Sequence, residues 1–179
     1  MSLTPPDPFT DGVVVLRTMR EDDRAAVIAT MRDPVVRRWL NMPPDPGDRE
    51  FASVMRTIED GFRSGDRYDF CVVTDDVEPS RGAVIASRRA RDNYEIAYLA
   101  SAAGRGRGLM TRAVRLLCTW LLDEGVGRLE LRTHPDNESS QRLAERCGFQ
   151  REGRERQSIW LHGRRQDALV WSLLPSDPR

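Results

Sequence analysis

A short turn rich in glycine and arginine, Arg105-Gly106-Arg107-Gly108, stands between a strand-like run and a helix-like run. Residues 94–100 alternate apolar side chains as a strand does, and residues 111–124 have helical spacing. Glycine lets the backbone turn tightly and approach a ligand closely. The first N–H groups of a helix lack internal partners and lie at the positive end of its dipole. The pattern therefore favours a phosphate or pyrophosphate site over a plain turn.

The surrounding periodicities predict an α/β fold with a mixed, mostly antiparallel sheet and helices on both faces. A strand, a tight turn, a helix and a second strand imply a central pair of parallel strands bridged by that helix. Elsewhere short turns predict antiparallel neighbours. The predicted strands are 13–17, 68–74, 81–91, 94–100, 128–133, 149–155, 158–161 and 165–174. The predicted helices lie around 25–31, 48–64, 109–124 and 137–146, and a further short helix ends at residue 40. Residues 41–47 are predicted to be a loop.

Length and composition predict one domain over residues 1–179, with residues 1–11 expected to be flexible. The hydrophobic fraction of 39% and the charged fraction of 31% are ordinary for a soluble protein. No apolar run is long enough to cross a bilayer, and the N-terminus lacks the order of a secretion signal. We therefore expect a cytoplasmic protein that does not bind membranes.

Charge and cysteine usage argue against several kinds of site. The formal net charge is zero, which disfavours wholesale binding of nucleic acid. Cys71, Cys118 and Cys147 are widely spread beside apolar residues, so we expect reduced thiols in or near the core. His134 and His162 are far apart in sequence, and no metal site is expected. All the basic side chains are arginines, which stay protonated and are not nucleophiles.

Four stretches of the chain resemble the GNAT N-acetyltransferase superfamily, particularly its ribosomal-protein alanine N-acetyltransferases of the RimJ/RimL type. These stretches are the strand 95–99, the R-x-x-G signature at 105–108, Asn137-x-x-Ser140 followed by Cys147-Gly148-Phe149, and the closing strand 167–171. The order of elements also fits over nearly the whole chain. The signature usually ends in Gly or Ala, whereas this chain has Met110, which we expect to narrow the groove.

The resemblance implies acetyl-CoA, or another acyl-CoA, as a co-substrate and a central parallel pair that splays to admit its pantetheine arm. The cofactor-binding residues that it implies are Leu99, Ala100, Arg105, Gly106, Arg107, Gly108, Leu109, Met110, Thr111, Asn137 and Ser140. Within this set, the backbone amide near Leu99 or Ala100 is expected to stabilise the thioester oxyanion. Asn137 is expected both to cap a helix and to bind a pantetheine amide.

The catalytic residues implied are Ser140 and Glu95. Ser140 is expected to help protonate the departing thiolate, which is undemanding because the reference pKa of a thiol is about 8.5; alternatively it merely occupies the first turn of a helix. Glu95 is our candidate base, with a cross-strand pairing to Arg88 or Arg89 as the structural alternative. His134 is the second candidate base.

The implied acceptor is a primary amine, either a protein N-terminus or a small amine. An α-amine has a reference pKa near 8, against about 10.4 for lysine, and this difference favours an N-terminal acceptor. Trp39 and Trp160 are candidates to line its groove, and Arg164 and Arg165 are expected to be solvated. A CoA-binding module without turnover and an NAD-type Rossmann protein are the competing interpretations. The oligomeric state stays open, with a homodimer as one option.

Overall fold

The computed structural model describes residues 3–6, 9–74 and 79–178. Within these residues, eight strands form one sheet in the order β1-β2-β3-β4-β5-β6-β8-β7. Every neighbouring pair is antiparallel except β5 and β6, which run parallel. The strands are β1 (Phe9–Thr10), β2 (Val15–Arg17), β3 (Arg67–Val73), β4 (Gly82–Ala90), β5 (Asn93–Ala100), β6 (Arg128–Thr133), β7 (Gln150–Leu161) and β8 (Arg164–Leu173). This mixed sheet confirms the predicted fold class and lacks the repeated parallel βα units of a Rossmann protein.

Five α-helices lie within the described residues: α1 (Arg24–Arg32), α2 (Pro34–Trp39), α3 (Asp48–Ser64), α4 (Leu109–Asp123) and α5 (Glu138–Arg146). Local signals fix several of their ends. The Asp33 carboxylate caps α2 by accepting from the N–H groups of Val35 and Val36. Gly47 rather than Asp48 is the N-cap of α3, and Gly65 in the left-handed region ends that helix as predicted.

The helices cover both faces of the sheet, as expected from the sequence. On one face α4 and α5 pack against buried strand residues such as Tyr94, Ile96, Leu129 and Leu131. On the other face α1 and α3 lie over β3 and β4. The apolar stripe of α4 is buried in the core, so its role is packing, as its periodicity predicts.

The described part of the N-terminal segment is packed against the sheet. Leu3 is buried, and its N–H donates to the hydroxyl of Tyr68 at 2.7 Å. The ring of Phe9, in β1, lies 5.4 Å from Phe70 and 5.6 Å from Trp120, edge to face in both cases. Residues 1, 2, 7 and 8 of the segment expected to be flexible lie outside the described residues, as do residues 75–78 of the predicted 75–80 turn.

The last hairpin differs from the sequence prediction. The two expected strands 149–155 and 158–161 form one strand, β7, with an irregular register between Glu155 and Ile159. Gln157 has φ of 51° at this bulge, and its N–H donates to Asp167 at 2.9 Å. The predicted break between strands 149–155 and 158–161 is therefore a β-bulge, which the partner strand β8 stabilises.

Candidate active site

The glycine turn forms an open row of backbone donors at the start of α4. Gly106 and Gly108 have φ of 74° and 73°, in the region that favours glycine. The first bond of the helix runs from the Arg112 N–H to the Gly108 carbonyl at 3.2 Å, and no side chain caps this end. Among the described residues, no acceptor contacts the N–H groups of residues 106–111. A Cβ at Gly106 or Gly108 would meet nothing within 4 Å, so the space beside these two positions is open.

The two arginines of this turn have different surroundings. The Arg105 guanidinium donates to Asp33 at 2.7 Å and to the Ala100 carbonyl at 3.1 Å, so it ties the turn to α2 and to the end of β5. This hydrogen bond from Arg105 is the main cause that lowers the pKa of Asp33. Arg107 is exposed and pairs with no other residue in the described part of the chain. Arg107 is thus the side chain of the pair that is free to meet an anion.

The parallel strands separate soon after they meet. Pairing between β5 and β6 is confined to Asn93–Glu95 and Arg128–Glu130. From Ile96 onward the main chain of β5 therefore has no strand partner on that side. The gap opens into a cavity of about 610 Å³, called the cleft below.

Most of the predicted site residues line this cleft. They are Glu95, Leu99, Ala100, Arg105, Gly106, Gly108, Met110, Thr111, Asn137 and Ser140, together with the alternative base His134. Arg107 and Leu109 do not line it: Arg107 points to solvent, and the Leu109 side chain is buried in the core. For Leu109 only the backbone N–H is available to a ligand.

Ser140 lies at the N-terminus of α5 and faces a tyrosine of β5. The Asn137 side chain caps this helix by accepting from the Ser140 N–H at 3.2 Å, as predicted. The Ser140 hydroxyl lies 2.6 Å from the hydroxyl of Tyr98, and both residues line the cleft. Burial raises the pKa of Tyr98 to about 12, even though the hydrogen bond to Ser140 lowers it. Tyr98 is therefore a neutral hydroxyl that can exchange a proton with Ser140.

Tyr98 is not among the candidate site residues predicted from the sequence. Its alternation with Tyr94 and Ile96 does predict that it points toward the helices, and the structure agrees. The contact with Ser140 joins residues 42 positions apart and has no local signal in the sequence.

The Glu95 carboxylate sits between two guanidinium groups. It is paired with Arg89, and it lies 3.2 Å from Nη1 of Arg132. The structure thus contains the cross-strand pairing with Arg89 that was the alternative to a catalytic role. The same carboxylate borders the cleft, on the face of β5 opposite α4. It is a hydrogen-bond acceptor next to the gap between β5 and β6.

His134 and the two candidate tryptophans form the rim of the cleft. The Nδ1 atom of His134 accepts from the Asp136 N–H at 3.1 Å, and its ring lies 5.3 Å from that of Trp39. Trp160 is 61% exposed and also borders the cleft. The Asn41 side chain donates to the Trp160 carbonyl at 2.6 Å, which fixes the β7–β8 hairpin to the loop after α2.

The remaining chemistry-bearing groups of the described chain give no second centre. The three cysteines are free and buried, as expected, and burial raises the pKa of each thiol. Within residues 3–6, 9–74 and 79–178, no group of three or more His, Cys, Asp or Glu side chains could hold a metal ion. None of the helices described is long and apolar enough to cross a membrane.

Comparison with known proteins places this arrangement among acetyltransferases. Residues 14–150 match the family model described as an acetyltransferase (GNAT) domain. A relative from Bacillus subtilis, "Probable N-acetyltransferase YjcK", is 35% identical over 91 residues. That match covers 50% of this chain and 50% of the relative, so the chain aligns with about half the length of YjcK.

Solved structures show the same fold at low sequence identity. The self-immunity acetyltransferase MccE, in complex with acetyl-CoA and AMP, is 19% identical with a TM-score of 0.83, over 93% of this chain and 94% of MccE. RimJ from Mycobacterium smegmatis, in complex with CoA-disulfide, is 21% identical with a TM-score of 0.81, over 93% of this chain and 83% of RimJ. At these identities the likeness establishes the fold.

Proposed function

Because this chain belongs to the GNAT acetyltransferase family, we propose that it transfers an acetyl group from acetyl-CoA to a primary amine, in particular the α-amine of a protein or peptide N-terminus. One observation carries this proposal. The cleft between β5 and β6 connects the open N–H groups at the start of α4 to the Tyr98–Ser140 pair. A diphosphate held at the first place would direct its thioester toward the second.

The backbone of the turn supplies the grip on the diphosphate of CoA. Helix N-termini bind phosphate through their free N–H groups and dipole, and here residues 106–111 offer such groups. Arg107 adds a mobile positive charge, while Arg105 holds the turn in place through Asp33. The unpaired edge of β5 can bond the amides of the pantetheine arm, and Asn137 is available to one of them. A main-chain N–H near Leu99 or Ala100 would polarise the thioester carbonyl.

Ser140 and Tyr98 handle the proton that the leaving thiolate needs. Thiolate leaving groups demand little of an acid because the reference pKa of a thiol is about 8.5. Ser140 can give its proton to the sulfur and recover one from Tyr98, whose hydroxyl is 2.6 Å away. Tyr98 lines the cleft, so water would return its proton before the next turnover. The raised pKa of Tyr98 keeps this second proton in place at neutral pH.

Glu95 is proposed to collect the amine proton through water. Its carboxylate borders the gap and is paired with two arginines. His134 is the weaker alternative because its Nδ1 already accepts a backbone hydrogen bond. An α-amine, with a reference pKa near 8, needs only modest help to lose its proton at neutral pH, and this favours it over lysine as the acceptor.

The test is thiol release from acetyl-CoA with three forms of one peptide. The first has a free N-terminus and no lysine, and the second has a blocked N-terminus and one lysine. The third has a blocked N-terminus and no lysine, so it offers no free amine. We expect release with the free N-terminus, little with the lysine peptide and none with the third. Since the chain contains no lysine, mass spectrometry would assign the new acetyl group without a background of modified enzyme side chains.

A CoA-binding module without turnover is the second candidate. The observation that favours it is Glu95, which is engaged by two arginines rather than free to act as a base. Tight binding of CoA, without release of thiol from acetyl-CoA in the presence of any amine, would support this module and contradict the proposed enzyme.

A further inference from the structure

A second cavity, of about 480 Å³, lies on the other face of the sheet, between β3–β4 and the helices α1 and α3. We call it the apolar cavity. It shares Leu40, Asn41 and Leu99 with the cleft. The two spaces therefore adjoin at the end of β5, where the thioester is proposed to sit.

The walls of this cavity are adapted to an apolar occupant. They include Met19, Met31 and Met42, three of the six methionines of the chain, together with Val27, Val54 and Ile85. Methionine is unbranched and polarisable, and it is common on surfaces that adjust to apolar ligands.

The buried polar groups in these walls already have partners. The buried carboxylate of Asp69 accepts from Nε and Nη2 of Arg67 at 2.6 and 2.8 Å. The Thr30 hydroxyl donates to the Ala26 carbonyl at 2.8 Å, and the Ser80 hydroxyl donates to the Gly82 carbonyl at 2.7 Å. None of the buried polar atoms without a partner in the described chain belongs to this cavity. A polar group entering it would lose its hydration with little in return.

Resting on the acetyl transfer proposed above, we infer that the apolar cavity binds the side chain of the first residue of the acceptor, and that this residue is a large apolar one. The acetyl group cannot account for the space, since an engineered apolar cavity of about 150 Å³ already holds benzene. The cleft approaches Leu99 from the side of the CoA-binding turn, and the apolar cavity approaches it from the side of α1 and α3. The acceptor is the reactant that remains to occupy the apolar cavity.

The experiment compares three tripeptide amides that differ only in the first residue, which is Gly, Leu or Asn. We expect kcat/KM to be at least about tenfold higher for Leu than for Gly, because apolar pockets discriminate by such factors per methylene group. Asn resembles Leu in shape but is polar, so it should be no better than Gly. The hexanoyl thioester of CoA serves as a second donor with the Gly peptide.

Two variants on one helix locate the effect. Val54→Trp fills the cavity from α3, whereas Ala52→Trp adds the same side chain to the exposed face of α3. We expect Val54→Trp to lower kcat/KM for the Leu peptide at least about tenfold, while the Gly peptide and the Kd for CoA stay unchanged. Ala52→Trp should change none of these values. Ala83→Leu, on the opposite wall in β4, repeats the test should the first variant fold poorly.

Three outcomes would overturn the inference. Equal rates for the three peptides would show that the enzyme does not select a large apolar first residue, while acetyl transfer itself would stand. Loss of hexanoyl transfer alone in Val54→Trp would assign the cavity to the acyl chain. If CoA still binds but no peptide causes release of thiol from acetyl-CoA, the proposed function and this inference are overturned together.

Discussion

At the scale of single residues, the proposed proton transfer to the leaving thiolate depends on the hydroxyl pair Tyr98 and Ser140. A serine hydroxyl alone is a weak acid, and the Tyr98 hydroxyl, 2.6 Å away, can return a proton to it. We propose that the two act as a short proton relay at the wall of the cleft, where the Asn137 cap fixes the Ser140 backbone. Such a relay predicts coupled rather than independent effects of mutation.

We therefore expect Ser140→Ala and Tyr98→Phe each to lower kcat about ten- to a hundredfold, at the low end of general acid effects because the leaving group is a thiol. The KM for acetyl-CoA should hardly change. The double variant should be little slower than the slower single variant, since both remove one relay. Steady-state thiol release measures all three. A Tyr98→Phe variant with unchanged kcat would remove Tyr98 from the mechanism.

Glu95 gives a second prediction at this scale. Glu95→Gln should reduce kcat/KM by about tenfold or less, because an α-amine with a reference pKa near 8 is partly neutral already. Glu155→Gln is the matched control, since Glu155 also pairs with Arg132, at 3.1 Å, but does not line the cleft. Rates measured across pH 6–9 should show the loss in Glu95→Gln only. Equal losses in both variants would mean that the charge network, rather than a proton acceptor, matters.

At the scale of elements, the proposed binding of the CoA diphosphate depends on the left-handed conformation of the glycines in the turn before α4. The same conformation occurs at Gly163 in the β7–β8 turn, with φ of 74° and nothing within 4 Å of an added Cβ. The chain thus contains a control for backbone strain that lies away from the cleft.

Gly106→Ala and Gly163→Ala should each cost about 1–2 kcal/mol of folding free energy, the penalty of a left-handed L-residue. Only Gly106→Ala should also raise the Kd for CoA, by about tenfold or more, because its methyl group enters the space of the diphosphate. Chemical denaturation and calorimetric titration report the two effects separately. An equal change in Kd for both variants would argue that the turn binds nothing.

Sequence periodicity was sufficient for the elements whose signals are local. The α4 stripe, the Asn137 cap and the 41–47 loop are confirmed because each depends on neighbouring residues. The bulge at Gln157 was missed because a partner strand holds it. The hydrogen bond from Arg105 to Asp33 joins residues 72 positions apart, so no local pattern in the sequence predicted it.

At the scale of the whole molecule, a buried ion pair connects the segment before α1 to strand β2. Asp23 is 1% exposed and accepts from Arg17 at 2.7 and 2.9 Å and from the Arg20 N–H at 2.8 Å. Burial alone would raise the pKa of Asp23, but these bonds lower it overall. A carboxyl whose pKa is lower in the folded state contributes stability above its unfolded pKa, about 3.9, and loses it as pH falls through the folded pKa.

Asp23→Asn should therefore lower the free energy of unfolding at pH 7 by about 3 kcal/mol, as when one partner of a buried pair is removed. The difference between the two proteins should shrink as the pH falls below about 4, because the carboxyl of the unfolded wild-type chain then binds a proton while the folded one, with its lower pKa, is still ionised. Urea unfolding at several pH values measures this. A difference that stays constant down to pH 2 would show that the charge of Asp23 does not stabilise the fold.

The proposed CoA site is tested most simply by an amide chemical-shift titration of the ¹⁵N-labelled protein with CoA. The N–H signals of Gly106, Gly108 and Thr111 should move most and saturate together with those of Leu99 and Ala100. Unchanged signals of residues 106–111 at saturating CoA would contradict the proposed site.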